Sequence, residues 1–222
     1  MTISTPFTTT KSGALNLVVA YLTAKESVMQ SGFGSEIDWQ YRIKLEAISE
    51  STFLREAAWV ILSAGMREQV IRKKFPAISE AFKNWEKACF IVGHKDECRR
   101  QAMSVFGNER KIDSIIGIAE EINEDGFPMV VRLLEQKGIN YLQSLPFMGP
   151  ATSFHLAKNI GLSAVKPDRH LCRVAEKTGY CCPEALCKEI AKIVGDELPV
   201  IDLVIWRYAN LNRDYLSLFS IE

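Results

Sequence analysis

The chain has 222 residues, 47% of them hydrophobic and 24% charged, which is the composition of an ordinary globular protein with room for one domain or two small lobes. No apolar run approaches the ~20 residues needed to span a bilayer, so the sequence reads as that of a non-membrane protein. Its formal net charge is zero. A polyanionic partner would therefore have to be met by basic residues gathered on one face. Arg72-Lys73-Lys74, Lys95 with Arg99-Arg100, Arg110-Lys111 and Lys166-Arg169-Arg173 are the available clusters, each of which also reads as a solvated helix face.

In chain order, Gly13–Ala24 behind the single Lys11 is the stretch most like an export signal, but its threonine-rich, weakly charged lead-in argues against that reading. The chain is accordingly expected in the cytoplasm, near the nucleoid, or in a nucleus, and its six cysteines are expected to be free thiols. From Phe53 onward the periodicity is helical. Phe53–Ala64 carries apolar residues at helical spacing, with Thr52 as a candidate cap and Gly65 after it. A second helix runs through Val70 and Ile71 and is expected to stop before Pro76. Ser79 is placed to cap a helix over Glu80–Val92. Arg110–Ile122 puts Ile112, Ile115, Ile116 and Ala119 on one stripe, broken at Asp125-Gly126. Pro128 opens the next helix and Gly138 closes it. Ala151–Ile160, Asp168–Thr178 and Pro183–Val194 close at Gly161, Gly179 and Gly195, and Pro199 starts a last helix to about Leu211. No stretch alternates like a strand, and the short connections predict a compact all-α protein.

Gly138–Arg173 is the most informative stretch. Leu145-Pro-Phe-Met-Gly-Pro-Ala-Thr152 reads as a tight turn between helices, in which Gly149 is free to take positive φ and Pro150 suits a first helical turn. The amides of the following helix's first turn make a ready anion site, a DNA phosphate being one occupant. A plain helix–helix corner is the other reading of the same residues. Asp168, in Val165-Lys-Pro-Asp-Arg-His170, reads first as an N-cap, which would also hold its carboxylate rigidly.

The order of these pieces resembles the helix-hairpin-helix-Gly-Pro-Asp superfamily of DNA glycosylases. Trp59-Val-Ile-Leu-Ser-Ala64, Phe75-Pro-Ala-Ile-Ser-Glu-Ala81 and the segment Phe106–Ala119 are similar, in order, to the family's upstream elements, so the likeness spans about Phe53 to Gly179. It implies two helical lobes with a DNA-binding cleft between them: residues 46–160 as one lobe ending in the hairpin, and 1–45 with 161–222 as the other. It implies Asp168 as the catalytic carboxylate, and a hairpin of Phe147, Met148, Gly149, Ala151 and Thr152, with Arg169 beyond it, that meets DNA. Several members hold a monovalent cation, sodium or potassium, on hairpin carbonyls that map to Gln143, Leu145 and Met148. The partner implied is double-stranded DNA carrying a damaged base, bound by a monomer.

Where the family's strand-cutting members carry a lysine, this chain has Ala151, which implies water as the nucleophile and an abasic site as the product. Lys158 and Lys166 are the nearby amines that a displaced-lysine enzyme, similar to archaeal 8-oxoguanine glycosylases, would use. The first hairpin glycine of the family is Phe147 here. Cys172, Cys181, Cys182 and Cys187 come too early for the endonuclease III iron–sulfur cluster, and adjacent Cys181 and Cys182 suit neither that spacing nor a zinc ribbon, so no cluster and no zinc are expected. The position of the adenine-removing branch's glutamate is Trp59, and Glu56, one turn away, reads as a solvated helix residue.

Base selectivity needs aromatic stacking and polar edge contacts. Trp59, His155, Trp206 and Asn210 are the pocket candidates, with Trp39 and Tyr208 behind them; Asp202 shares a helix face with Trp206 and Asn210. Each tryptophan reads equally as core packing. The Asp-only chemistry suits alkylated purines, whose positive charge makes them good leaving groups. The competing class is a non-catalytic DNA-binding module that has kept the hairpin and lost the chemistry.

Overall fold

The computed structural model describes residues 11–220, and among them every regular element is helical. The chain divides into two compact units, residues 1–42 with 163–222, and residues 43–162.

The first unit takes both ends of the chain. Helix α1 (Lys11–Val28) passes through a wide turn at Met29–Phe33, kinked at Gly32, into α2 (Gly34–Arg42). The rest of this unit is α11 (Arg169–Lys177), α12 (Pro183–Val194), α13 (Leu198–Leu211) and the short α14 (Tyr215–Leu218). Its centre is α13, in which every residue from Pro199 to Ile205 is buried. A helix apolar on all sides belongs inside a bundle, and α1, α2, α11, α12 and α14 all pack on it. The Gly13–Ala24 stretch lies within α1, and its Leu17, Ala20, Tyr21 and Ala24 belong to this core.

The second unit is α3 (Glu50–Ser63), α4 (Glu68–Ala81), α5 (Ala88–Gly93), α6 (Lys95–Val105), α7 (Glu109–Asp125), α8 (Phe127–Lys137), α9 (Ile139–Ser144) and α10 (Pro150–Asn159). Here α7 is central: its Ile112, Ile115, Ile116, Ile118, Ala119 and Ile122 are buried, and α3, α5, α6 and α8 pack on it.

Several local expectations are corrected. The cap of α3 is Ser49, whose hydroxyl accepts from the Thr52 amide at 3.1 Å, so the helix starts a turn before the expected cap Thr52. Helix α4 runs through Pro76 instead of stopping before it. Proline removes one amide donor, but Ile71, Ile78 and Ala81 are buried on both sides of it, and the Phe75 ring lies 5.1 Å edge-on from Trp59 and 6.0 Å from Trp85. That packing outweighs the missing bond. Ser79 is not a cap: it lies inside α4, donates to the Phe75 carbonyl, and accepts the Trp85 indole N–H at 2.9 Å. The helix expected over Glu80–Val92 is interrupted by Lys83, Asn84 and Trp85, all at positive φ (55°, 51° and 63°). Left-handed backbone costs roughly 1–2 kcal/mol per residue; burial of Trp85 against the Phe82 ring, 4.9 Å away, offsets it.

One glycine is required by close approach. Gly161 has φ +77°, and a Cβ there would lie 2.8 Å from the backbone of Lys44 and Leu45. The end of α10 and the Lys44–Leu45 segment therefore abut through their main chains.

Candidate functional site

Each unit contributes one stretch singled out by the sequence. In the second unit, α9 and α10 flank the turn Leu145–Gly149. The turn is tied to α7, where Gly117 leaves room for the Pro146 ring: a Cβ on Gly117 would come within 3.2 Å of it. Leu145 and Met148 are buried and anchor the turn from beneath.

The residue with positive φ is Phe147, at +66°, whereas Gly149 is extended at φ −77°, ψ −176°. This reverses the expectation that Gly149 supplies the left-handed residue. Bulky residues rarely hold this conformation, and here the ring is engaged: the Arg110 guanidinium lies 5.4 Å from its centroid and Lys111 Nζ 5.7 Å. Lys111 is itself buried, donating to the Leu62 and Ala64 carbonyls at the end of α3 at 2.8 and 2.6 Å, and burial pushes its ammonium pKa down. The Thr152 hydroxyl reaches back to the Phe147 and Gly149 carbonyls, 3.1 Å from each.

The Gly149 amide is spent inside the turn, donating to the Phe147 carbonyl at 3.1 Å. At the start of α10, Pro150 has no N–H, and the amides of Ala151 and Thr152 have no hydrogen-bond partner among the described residues. The unpaired amides at the start of α10 are thus those of Ala151 and Thr152, the Gly149 amide being used within the turn. Of the carbonyls assigned to a cation, that of Leu145 accepts the Met148 amide at 3.1 Å, and Gln143 is exposed.

In the first unit, Asp168 caps α11. Its Oδ1 accepts the amides of His170 and Leu171, both at 2.9 Å, while Oδ2 accepts no hydrogen bond among the described residues. Asp168 is half-buried; Arg169 beside it is exposed, with Nε donating to His170 Nε2 at 3.2 Å. Burial lowers the His170 pKa, the Asp168 charge opposing this and Arg169 and Arg173 adding to it. The approach to Asp168 is fixed from α13: buried Asp202 accepts the Lys166 amide, and the Lys166 carbonyl accepts that of Asp168 at 2.8 Å. The sequence marks Asp202 only as sharing a helix face with Trp206 and Asn210, and its role in holding this loop was not legible there.

The pocket candidates are dispersed. Trp59 stands edge-on to Phe75 with the Arg72 guanidinium 5.7 Å from its ring, and His155 is half-buried on α10. On α13, Asn210 is exposed and turns its amide back to the Trp206 carbonyl at 2.7 Å. Trp206 is half-buried beneath the Arg207 guanidinium, 4.8 Å away, which Glu36 holds by 2.6 and 3.0 Å bonds. Glu56 is not solvated as expected. It is 7% exposed and accepts from Asn159 and Arg55 at 2.8 Å, fastening α3 to the end of α10.

Among the described residues no cluster of three or more His, Cys, Asp or Glu converges, and no helix is long and apolar enough to cross a membrane. Compared with family models, curated proteins and solved structures, the chain matches none of them.

Proposed function

We propose that the chain is a monofunctional DNA N-glycosylase that hydrolyses the N-glycosidic bond of a damaged base, an alkylated purine first among the candidates. The observation that carries this reading is the state of the Asp168 carboxylate. One oxygen is held by two backbone amides and the other accepts no hydrogen bond among the described residues. A carboxylate fixed in this way suits stabilisation of positive charge on a sugar carbon, because it needs no reorganisation as the charge develops.

In this reading the target nucleotide leaves the stack, and the α9–α10 turn acts as the helix-hairpin-helix element that grips the DNA backbone through the Ala151 and Thr152 amides. Asp168 Oδ2 faces the oxocarbenium-like sugar and orients the attacking water. Ala151 at the lyase lysine's position leaves water as nucleophile, so the product is an intact strand with an abasic site. A second reading, a non-catalytic DNA-binding module, is favoured by Phe147 in place of a glycine and by the Gly149 amide being used within the turn.

The test is a panel of duplexes, each with one lesion, incubated with wild type and Asp168→Asn and split for hot-alkali treatment. Cleavage only after alkali, lost in the variant, supports the glycosylase. Binding without cleavage on any lesion moves the assignment to the binding module. Covalent trapping by borohydride would point to a displaced-lysine enzyme of the 8-oxoguanine type, with Lys158 or Lys166 as nucleophile.

A further inference from the structure

Cys181 and Cys182 have no part in the reading above. Both are exposed, and their sulfurs lie 3.9 Å apart. Although their spacing suits no zinc ribbon and the sequence predicts no zinc, we propose that they form a bidentate thiolate site for one soft divalent ion of the zinc and cadmium class.

The separation places the two sulfurs where one ion could bridge them. Two sulfurs on a tetrahedral ion with bonds of ~2.3 Å stand about 3.8 Å apart, so chelation requires almost no rearrangement of the observed 3.9 Å pair. A disulfide needs its sulfurs about 2.0 Å apart. Forming it would also take a two-electron oxidant, which chelation does not need.

The backbone presents the pair. Cys182 is the N-cap residue of α12, extended at φ −162°, ψ 161°, and its side chain makes no capping hydrogen bond. Pro183 follows at the first helical position and limits movement of the main chain. The Cys182 sulfur is thus carried on backbone that Pro183 restricts, with Cys181 as its hydrogen-bond neighbour and the Lys188 charge near it. No third His, Cys, Asp or Glu joins the pair among the described residues, so solvent completes the coordination shell. Two thiolates select soft ions over magnesium or calcium. Binding breaks two S–H bonds, forms two metal–sulfur bonds and releases two protons to solvent, with no transfer of electrons. Affinity therefore rises with pH. The site is independent of the role given to Asp168.

The experiment is titration of the reduced full-length chain with cadmium chloride, following the thiolate-to-cadmium charge-transfer absorption in the ultraviolet and the protons released. One ion and two protons per chain are expected. Cys181→Ser and Cys182→Ser should each weaken binding by about a hundredfold or more, since the second bond of a chelate forms at high effective concentration. Cys89→Ser and Cys172→Ser, at the other exposed cysteines, should leave it unchanged. Circular dichroism verifies that each variant is folded. A missing charge-transfer band, a band that survives substitution of either Cys181 or Cys182, or one ion shared by two chains would overturn the proposal.

Discussion

Asp202 Oδ2 accepts the backbone amide of Lys166 at 2.6 Å, from a side chain only 2% exposed. Lys166 in turn accepts the Asp168 amide, so a buried carboxylate on α13 sets the backbone on which the candidate catalytic carboxylate stands. Removing a buried acceptor strands its donor at a cost of about 1–3 kcal/mol. Asp202→Ala should lower the urea midpoint accordingly and reduce the base-release rate at saturating substrate more than it changes KM. Asp202→Asn, which keeps an acceptor oxygen, should recover most of both. An Ala variant of reduced stability but undiminished turnover would leave Asp202 a purely structural residue.

Asp168 has two separable duties. As a cap it is replaceable by asparagine, whereas alanine removes about 1 kcal/mol. Asp168→Asn should therefore match wild type in denaturant unfolding, and Asp168→Ala should fall below it, while both lose base release. Turnover by the Asn variant at the wild-type rate would remove Asp168 from the chemistry.

Phe147 holds the conformation expected of glycine. Phe147→Gly relieves a strain of roughly 1–2 kcal/mol but loses the ring's contacts with Arg110 and Lys111, worth about 0.5–1 kcal/mol each. The two nearly cancel, and the variant should lie within about 1 kcal/mol of wild type. Phe147→Ala keeps the strain and loses the ring, so it should be the least stable of the three. Urea midpoints of the set check this order.

Acid should loosen the first unit at Asp196. Its Oδ2 accepts from Tyr21 at 2.5 Å and Lys25 at 2.7 Å, and its Oδ1 from Tyr41 at 2.5 Å. Burial alone raises the Asp196 pKa, but the hydrogen bonds from Lys25, Tyr21 and Tyr41 together outweigh it and hold the pKa below the ordinary value. A depressed folded pKa stabilises above the unfolded value, pH ~3.9, and that stability is lost as pH falls through the folded pKa. Lys25 has the opposite sign: burial lowers its pKa, but its bonds to Asp196 and Tyr41 raise it by more, and the net rise means its contribution is lost as pH climbs through the folded value. Melting temperature against pH should fall less steeply on the acid side in Asp196→Asn than in wild type. Parallel curves would assign the acid sensitivity to other carboxylates.

What was legible in the sequence was whatever local chemistry alone decides. The all-helical class, the Pro183–Val194 helix with Gly195 beyond it, and the cap by Asp168 all rest on residues whose own backbone preferences match their place. The misses share a different cause. Helix α4 crosses Pro76, and Lys83 to Trp85 turn left-handed, because Phe75, Phe82 and Trp85 pack together with Trp59 of α3 added to them. Phe147 takes the strained position, and Gly149 does not, because two cations from α7 hold its ring. Glu56 and Asp202 look like ordinary helix acids until a partner more than thirty residues away is placed beside each, Asn159 and Lys166 respectively. Such partners leave no trace in local periodicity.

The Asp196 cluster also sets a timetable. Tyr21 and the carboxylate it binds are separated by 175 positions. At ~5–20 residues per second of translation, α1 leaves the ribosome about 10–35 seconds before its counterpart is made. Residues 43–162 are continuous and can complete their own core during that interval. Helix α1 must wait with Leu17, Tyr21 and Ala24 uncovered until α13 arrives. Helix α1 is thus open to chaperone capture and to premature proteolysis until that partner is made.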